Sequence, residues 1–132
     1  MVCLVLGDSI AVGTHQALAA QHVVCERRAR VGASSNEIDH YPVINADTVV
    51  ISAGSNDNPR NNNVPTYERL RAKYTGKKVV WILPRHRTLA SQVLKVVRKY
   101  NDGFVDGYGF ESFDNLHPKS YNSVARAVKV KM

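Results

Sequence analysis

Apolar runs of strand length, each cut off by a turn former and followed by a stretch with helical features, recur along this chain and restrict its fold more than any other feature. Val2 to Leu6 is continuous and apolar up to Gly7, Thr48 to Ser52 is β-branched and closes shortly before Gly54, and Lys78 to Leu83 stops at Pro84. Runs without polar alternation suit strands buried on both faces, the condition of a parallel sheet covered by helices. His22 to Cys25 reads as a further short strand and Phe104-Val105 as a minimal fifth.

The intervening segments carry helix signals. Ile10, Val12, Leu18 and Ala19 suit a helix that begins at or just after Ser9, and Asn36 to Tyr41 reads as a helical turn or two stopped by Pro42. Tyr67 to Tyr74 predicts a helix with Thr66 as N-cap and Gly76 as its stop. Leu89, Val93, Val96, Val97 and Tyr100 fall on one stripe with Lys95, Arg98 and Lys99 off it, which predicts a helix over 89–100 broken by Asn101-Asp102-Gly103. Pro118 to Val128 predicts a last helix with Pro118 in its first turn. Strand and helix alternate throughout, so the expectation is a three-layer α/β/α domain around a parallel sheet. A length of 132 residues with 44% hydrophobic content supports one core, hence a single domain over 1–132. Ligands of such sheets bind in the crevice beyond the carboxyl ends of the strands.

The formal net charge of +7 raises anionic partners, yet the basic residues are scattered and show neither zinc-finger spacing nor an RNA-binding aromatic signature. They read as solvated faces, and no nucleic-acid partner is expected. Val2 to Leu6 is too short for a signal peptide and no run is long enough to span a membrane, so cytoplasmic synthesis is expected, with any release by another route; a compact basic chain would also suit a phage-encoded protein. Cys3 and Cys25 sit in apolar stretches without metal spacing and read as two reduced core thiols. No metal or other cofactor is expected, because no Cys/His cluster has zinc spacing and no histidine pair flanks a glutamate at i, i+4.

Three polar clusters follow the strand runs: Gly7-Asp8-Ser9, Gly54-Ser55-Asn56-Asp57 and, in a loop near the C-terminus, Asp114-Asn115-Leu116-His117. A serine hydroxyl needs a base within reach and a third group to orient that base. Ser9 lies at a strand-to-helix junction, where it can serve as a nucleophile or simply cap the helix. Of five histidines, only His117 has an acid, Asp114, at helical-turn spacing in a loop before a helix, although a surface histidine at a helix start would look the same. Asn56 can donate an amide to an oxyanion and Gly32 a bare backbone N–H, but both residue types are also common turn formers.

Together these residues resemble the motif set of the SGNH hydrolases, the GDSL-like esterase and lipase superfamily. The serine motif is Gly7-Asp8-Ser9-Ile10, with isoleucine where many members have leucine; the glycine block is Val31-Gly32-Ala33-Ser34-Ser35, the asparagine block Gly54-Ser55-Asn56-Asp57, and the D-x-x-H block Asp114-Asn115-Leu116-His117. All four stand in the family's order. The resemblance implies a flavodoxin-like five-stranded sheet in the order 2-1-3-4-5, Ser9 as nucleophile, His117 as base, Asp114 as its orienting acid, and an oxyanion hole from the Ser9 and Gly32 N–H groups with the Asn56 amide. It also implies an ester-cleaving activity.

Around the expected crevice lie Asn58, Arg60, Asn61, Arg85, His86, Arg87, Tyr108 and Phe110, a mixture of polar donors and aromatics that suits a carbohydrate better than a long acyl chain. An O-acetyl esterase acting on an acetylated carbohydrate or cell-wall glycan, neutral or anionic, is the first reading, with Arg85, Arg87 and Tyr108 as substrate-binding residues. An esterase or thioesterase for small soluble acyl compounds is the second, and a glycan-binding module without turnover the third.

Overall fold

The computed structural model describes residues 2–132. Five parallel strands, β1 (Cys3–Gly7), β2 (Glu26–Ala29), β3 (Thr48–Ser52), β4 (Lys78–Leu83) and β5 (Gly103–Asp106), form one sheet in the order β2-β1-β3-β4-β5. The three central strands are apolar and buried along nearly their whole length, as expected of a sheet covered on both faces. Helices α1 (Ser9–Ala20) and α5 (Tyr121–Lys131) cover one face, packing Leu18, Val124 and Val128 against Val5, Val50 and Ile82. Helices α2 (Ser35–Asp39), α3 (Val64–Ala72) and α4 (Arg87–Tyr100) cover the other, where Ile38, Tyr67, Leu70, Val93 and Val97 meet Leu4, Ile51 and Trp81.

β3 and β4 occupy the expected residues and α1 starts at Ser9 as expected, while the bounds of the other elements shift. The second strand begins at Glu26, four residues beyond the expected start at His22, because the chain first has to turn out of α1: Val23 N–H donates to Leu18 O and His22 takes a left-handed φ of 66°. β2 is then an exposed edge strand of Glu26, Arg27, Arg28 and Ala29, and its charges blunt the edge against further pairing. Helix α3 starts at Val64, with Pro65 in its first turn and Asn63 in place of Thr66 at the cap. The last helix starts at Tyr121, where Ser120 accepts from Ser123 N–H, and leaves Pro118 in the preceding loop.

The two cysteines are not reduced thiols. Cys3 and Cys25 form a disulfide with their Cα atoms 4.8 Å apart. The parallel register that sets Leu4 opposite Glu26 brings together two residues 22 apart in sequence, a proximity invisible until the strand order is known. A second tie is a buried ion pair. Asp102 accepts from Arg71 Nε and Nη2 at 2.7 and 3.0 Å and from Trp81 Nε1 at 3.0 Å, joining α3 and β4 to the turn before β5. Arg71 also donates to Tyr74 O and stacks on Tyr100, so its charge is paired and its donors are used despite burial.

Closing a loop of 22 residues restricts the unfolded chain enough for a disulfide to contribute about 3 kcal/mol of stability. Urea denaturation of the oxidised protein, the reduced protein and Cys25→Ala is expected to show the last two less stable than the first by about that amount. Equal midpoints in all three would mean that the crosslink restrains nothing in the unfolded state.

Candidate active site

The carboxyl end of β1 is shaped by contact with β3. Gly7 takes φ 146°, and a Cβ there would lie 1.9 Å from Ser52 O, so no other residue fits between the strand ends. Asp8 N–H donates to that same carbonyl, and Ser52 Oγ–H donates to Asp8 Oδ1 at 2.9 Å. Asp8 Oδ1 also accepts from Ile10 N–H at 3.1 Å, which makes Asp8 the N-cap of α1 and sets Ser9 as the first residue of the helix. Ser9 is therefore not the cap. Its N–H is one of the first-turn donors that an α-helix leaves without an intrahelical acceptor, and the positive end of the helix dipole lies beneath it.

Ser9 Oγ lies 2.8 Å from His117 Nε2 although 108 residues separate them. His117 Nδ1 lies 2.7 Å from Asp114 Oδ2, while Asp114 Oδ1 accepts from the N–H groups of Leu116 and His117. The His117 imidazole, then these two backbone donors, hold the Asp114 carboxyl well below the usual carboxylate range, so it is ionised at any pH at which the protein would work. An ionised Asp114 accepts from Nδ1–H, and this fixes the tautomer in which Nε2 faces the serine hydroxyl as an acceptor. The arrangement can take a proton from Ser9 and hold the imidazolium that results. The remaining histidines are engaged or placed elsewhere: His15 bonds Cys25 O, His40 bonds Asn36 O, His22 turns the chain after α1, and His86 precedes α4.

Gly32 lies in the turn closed by Ala33 N–H donating to Arg30 O; its φ of 83° demands glycine and open space lies beside it. Asn56 Nδ2 donates to Ala33 O at 2.9 Å, so the β3–α3 loop and the Gly32 turn are bonded to each other beyond the strand ends. One amide hydrogen of Asn56 is used in this way and its second remains. Asp57 completes the tie by accepting from Ser35 N–H at 2.9 Å and from Tyr67 O–H at 2.8 Å. Sequence reasoning gave Asp57, Ser52 and Asp8 no role. The only signal was that Asp8 and Asp57 belong to the two Gly-containing blocks and that Ser52 ends a strand run, because their work is to bond one strand end or loop to another.

Arg85, Arg87 and Tyr108 stand together beside the Asp114–His117 loop, but the arginines are turned toward their own chain. Arg85 donates to the carbonyls of Gly107 and Phe110 and to Asn115 Oδ1, and Arg87 forks onto Asp106 at 2.8 and 3.0 Å. Both guanidinium groups lie over the Tyr108 ring, which is 59% exposed. Among the described residues no three His, Cys, Asp or Glu side chains gather as metal ligands.

No protein-family model and no curated protein matches the chain in sequence. Solved structures do match. The Streptococcus pneumoniae peptidoglycan O-acetyltransferase A (OatA) C-terminal catalytic domain, solved with a methylsulfonyl adduct, superposes with a TM-score of 0.71 and 16% identity over 98% of this chain and 90% of that one. A Bacteroides fragilis protein described as an acylhydrolase superposes with a TM-score of 0.68 and 19% identity over 98% and 84%. The fold is that of the SGNH hydrolases. Five parallel strands in the order 2-1-3-4-5 with helices on both faces match these neighbours, which both carry names for acyl chemistry.

Burial raises the Asp8 carboxyl to about 6, against the hydrogen bonds from Ser52 and Ile10, and Asp8 Oδ2 has no partner. A carboxyl raised in the folded state holds its proton where the unfolded chain has released it. Its contribution to stability is therefore full only below the ordinary value of 3.8 and is lost as pH rises through about 6, a total loss of about 3 kcal/mol. Asp8→Asn keeps an acceptor for Ile10 N–H and removes the titration. Denaturant unfolding of both proteins from pH 4 to pH 7 is expected to show the variant gaining on the native protein by most of that amount, whereas parallel curves would mean that Asp8 is ionised throughout.

Proposed function

We propose that this protein is a serine esterase of SGNH type that removes acetyl groups from an O-acetylated carbohydrate of cell-wall type. The unbroken chain from Ser9 Oγ to His117 Nε2 and from His117 Nδ1 to Asp114 carries the reading, with steps of 2.8 and 2.7 Å. Ser9 is the nucleophile: its oxygen bonds to the ester carbonyl carbon while its proton passes to His117 Nε2. The Ser9 and Gly32 N–H groups and the second N–H of Asn56 stabilise the oxyanion, His117 returns the proton to the leaving alcohol as the ester C–O bond breaks, and Asp114 holds the ring in its tautomer. Water then gives a proton to His117 and attacks the acyl carbon, and Ser9 leaves with the proton restored.

Three observations favour a small acyl group on a bulky polar alcohol. His117 and Asp114 are 38% and 54% exposed in their side chains, so a bulky polymer can reach them. Tyr108 is exposed and its ring lies against Arg85 and Arg87, an aromatic and polar surface that suits contact with a sugar. A structural neighbour is named for the O-acetylation of peptidoglycan, which supports the same class of substrate here. The disulfide suits an oxidising surrounding, where such a polymer would be met. No helix among the described residues is long and apolar enough to cross a membrane.

The test is a hydrolysis profile over acetyl to long-chain chromogenic esters and acetylated glycans. Turnover is expected to be highest for acetyl and to fall by about a thousandfold or more in Ser9→Ala and in His117→Ala, with the double variant little worse. Asn56→Ala is expected to lower kcat by about 100- to 1,000-fold with KM nearly unchanged. A sulfonyl fluoride should modify Ser9 in the native protein and not in His117→Ala. Full turnover in Ser9→Ala refutes the mechanism, and a preference for small free thioesters or soluble esters over every glycan moves the substrate to small acyl compounds.

A further inference from the structure

The Ser9–His117 contact joins a rigid element to one with little regular structure. Ser9 is built into α1 through the Asp8 cap, but Asp114 and His117 belong to the segment between β5 and α5, whose one regular piece is the 3-10 turn Gly107–Gly109. Arg85, two residues past the end of β4, reaches across to this segment. Its Nη1 donates to Phe110 O at 2.5 Å, Gly107 O at 3.3 Å and Tyr108 O at 3.5 Å, and its Nε donates to Asn115 Oδ1 at 3.2 Å. Asn115 stands between Asp114 and His117 in the left-handed conformation, φ 59°, so the side chain held by Arg85 belongs to the residue that turns the loop back toward Ser9.

Apart from Arg87 over the Tyr108 ring and the bonds that Ser112, Leu116 and His117 make to Asp114 Oδ1 within the loop, the other attachments act at its neck. Lys119 N–H donates to Glu111 O at 2.7 Å, Lys119 Nζ pairs with Glu111 and lies over Phe113, and Ser120 caps α5. Gly107 meets the end of β4 so closely that a Cβ would lie 2.5 Å from Leu83 O, which fixes the start of the segment but not the turn at Asn115. Arg85 is the contact that spans from Gly107 to Asn115. A planar guanidinium can serve acceptors on two of its nitrogens from one fixed position, and a lysine ammonium cannot.

We infer that Arg85 is a positioning residue: by fanning over the carbonyls of Gly107, Tyr108 and Phe110 and the Asn115 side chain, it holds the Asp114–His117 loop with His117 in register with Ser9, and so sets turnover through the loop and not through contact with substrate. This rests on the esterase reading above for its kinetic consequence, while the geometric part stands without it. An error of about 1 Å in such a register is enough for a loss of about 100-fold in rate.

Steady-state kinetics on a small neutral chromogenic acetyl ester separate the roles, measured for the native protein, Ser9→Ala, Arg85→Ala and Arg85→Lys together with their melting temperatures. Arg85→Ala is expected to lower kcat about 10- to 100-fold with KM within about twofold, Arg85→Lys to recover little, and free guanidinium at millimolar concentration to restore part of the kcat of Arg85→Ala where ammonium at equal ionic strength does not. Proton NMR of the protein without substrate supplies the second readout. The downfield His117 Nδ1 proton, identified by its loss in Asp114→Asn, should broaden or disappear in Arg85→Ala. An unchanged kcat with a raised KM for anionic glycans would make Arg85 a substrate contact, and an unchanged kcat and Nδ1 proton with a lowered melting temperature would make it a purely structural residue; either overturns the inference. If the native protein cleaves no ester, or Ser9→Ala cleaves as well, the esterase reading fails alone, and the NMR result still decides whether Arg85 holds the loop.

Discussion

Gly7 ends β1 directly against β3, and the crevice depends on that contact. Only a glycine lets β1 end against Ser52 O, and there Asp8 locks the two strand ends together through its own N–H and the Ser52 hydroxyl. The chains leaving β1 and β3 must then diverge, one into α1 with Ser9 at its tip and the other into the loop that bears Asn56. A larger residue at position 7 would wedge the strands apart and move Ser9 and the Asn56 amide relative to each other. The backbone contact thus comes before the chemistry, since a weak hydroxyl nucleophile depends on groups fixed within fractions of an ångström.

Around that fixed point the crevice is assembled by side chains that bond one loop to another. Asn56 to Ala33 O, Asp57 to Ser35 N–H and Tyr67 O–H, and Arg85 to the 107–115 segment each join segments far apart in sequence. Burial pushes the Tyr67 phenol well upward, so it stays a donor to Asp57 at all accessible pH. Side-chain bonds of this kind satisfy groups that a sheet end leaves unpaired, and they place the loops without adding secondary structure.

How much of this was legible follows from where the information lies. β3 and β4 were found to the residue because β-branched apolar runs bounded by Gly or Pro state both their type and their ends. β2 was displaced because an edge strand made of Glu26-Arg27-Arg28 carries no hydrophobic period at all, and the apolar His22 to Cys25 beside it does. Ser9, Asp114, His117, Asn56 and Gly32 were legible as blocks, and the structure brings Ser9, His117 and Asp114 into one hydrogen-bonded chain. The disulfide and the buried Arg71–Asp102 pair were not legible, since each needs the register of neighbouring elements, and an arginine in a helix reads as solvated until its partner is known.

The arginines at 85 and 87 show the same limit in a sharper form. Two cations beside an expected crevice invite an anionic ligand, but each finds its acceptors within the chain: main-chain carbonyls and Asn115 for Arg85, and the Asp106 carboxylate for Arg87, whose interaction in turn holds Asp106 below the usual carboxylate range. A ligand anion would have to compete with Asp106 for a fork already matched in geometry, and at Arg85 it would have to be worth more than the carbonyls it displaces. What the pair leaves accessible is Tyr108, whose ring lies against both cations and which is largely exposed. A rigid aromatic side chain loses little entropy when a ligand settles on it, so under the proposed esterase reading the two cations would stiffen a platform and leave recognition of the alcohol to the exposed Tyr108.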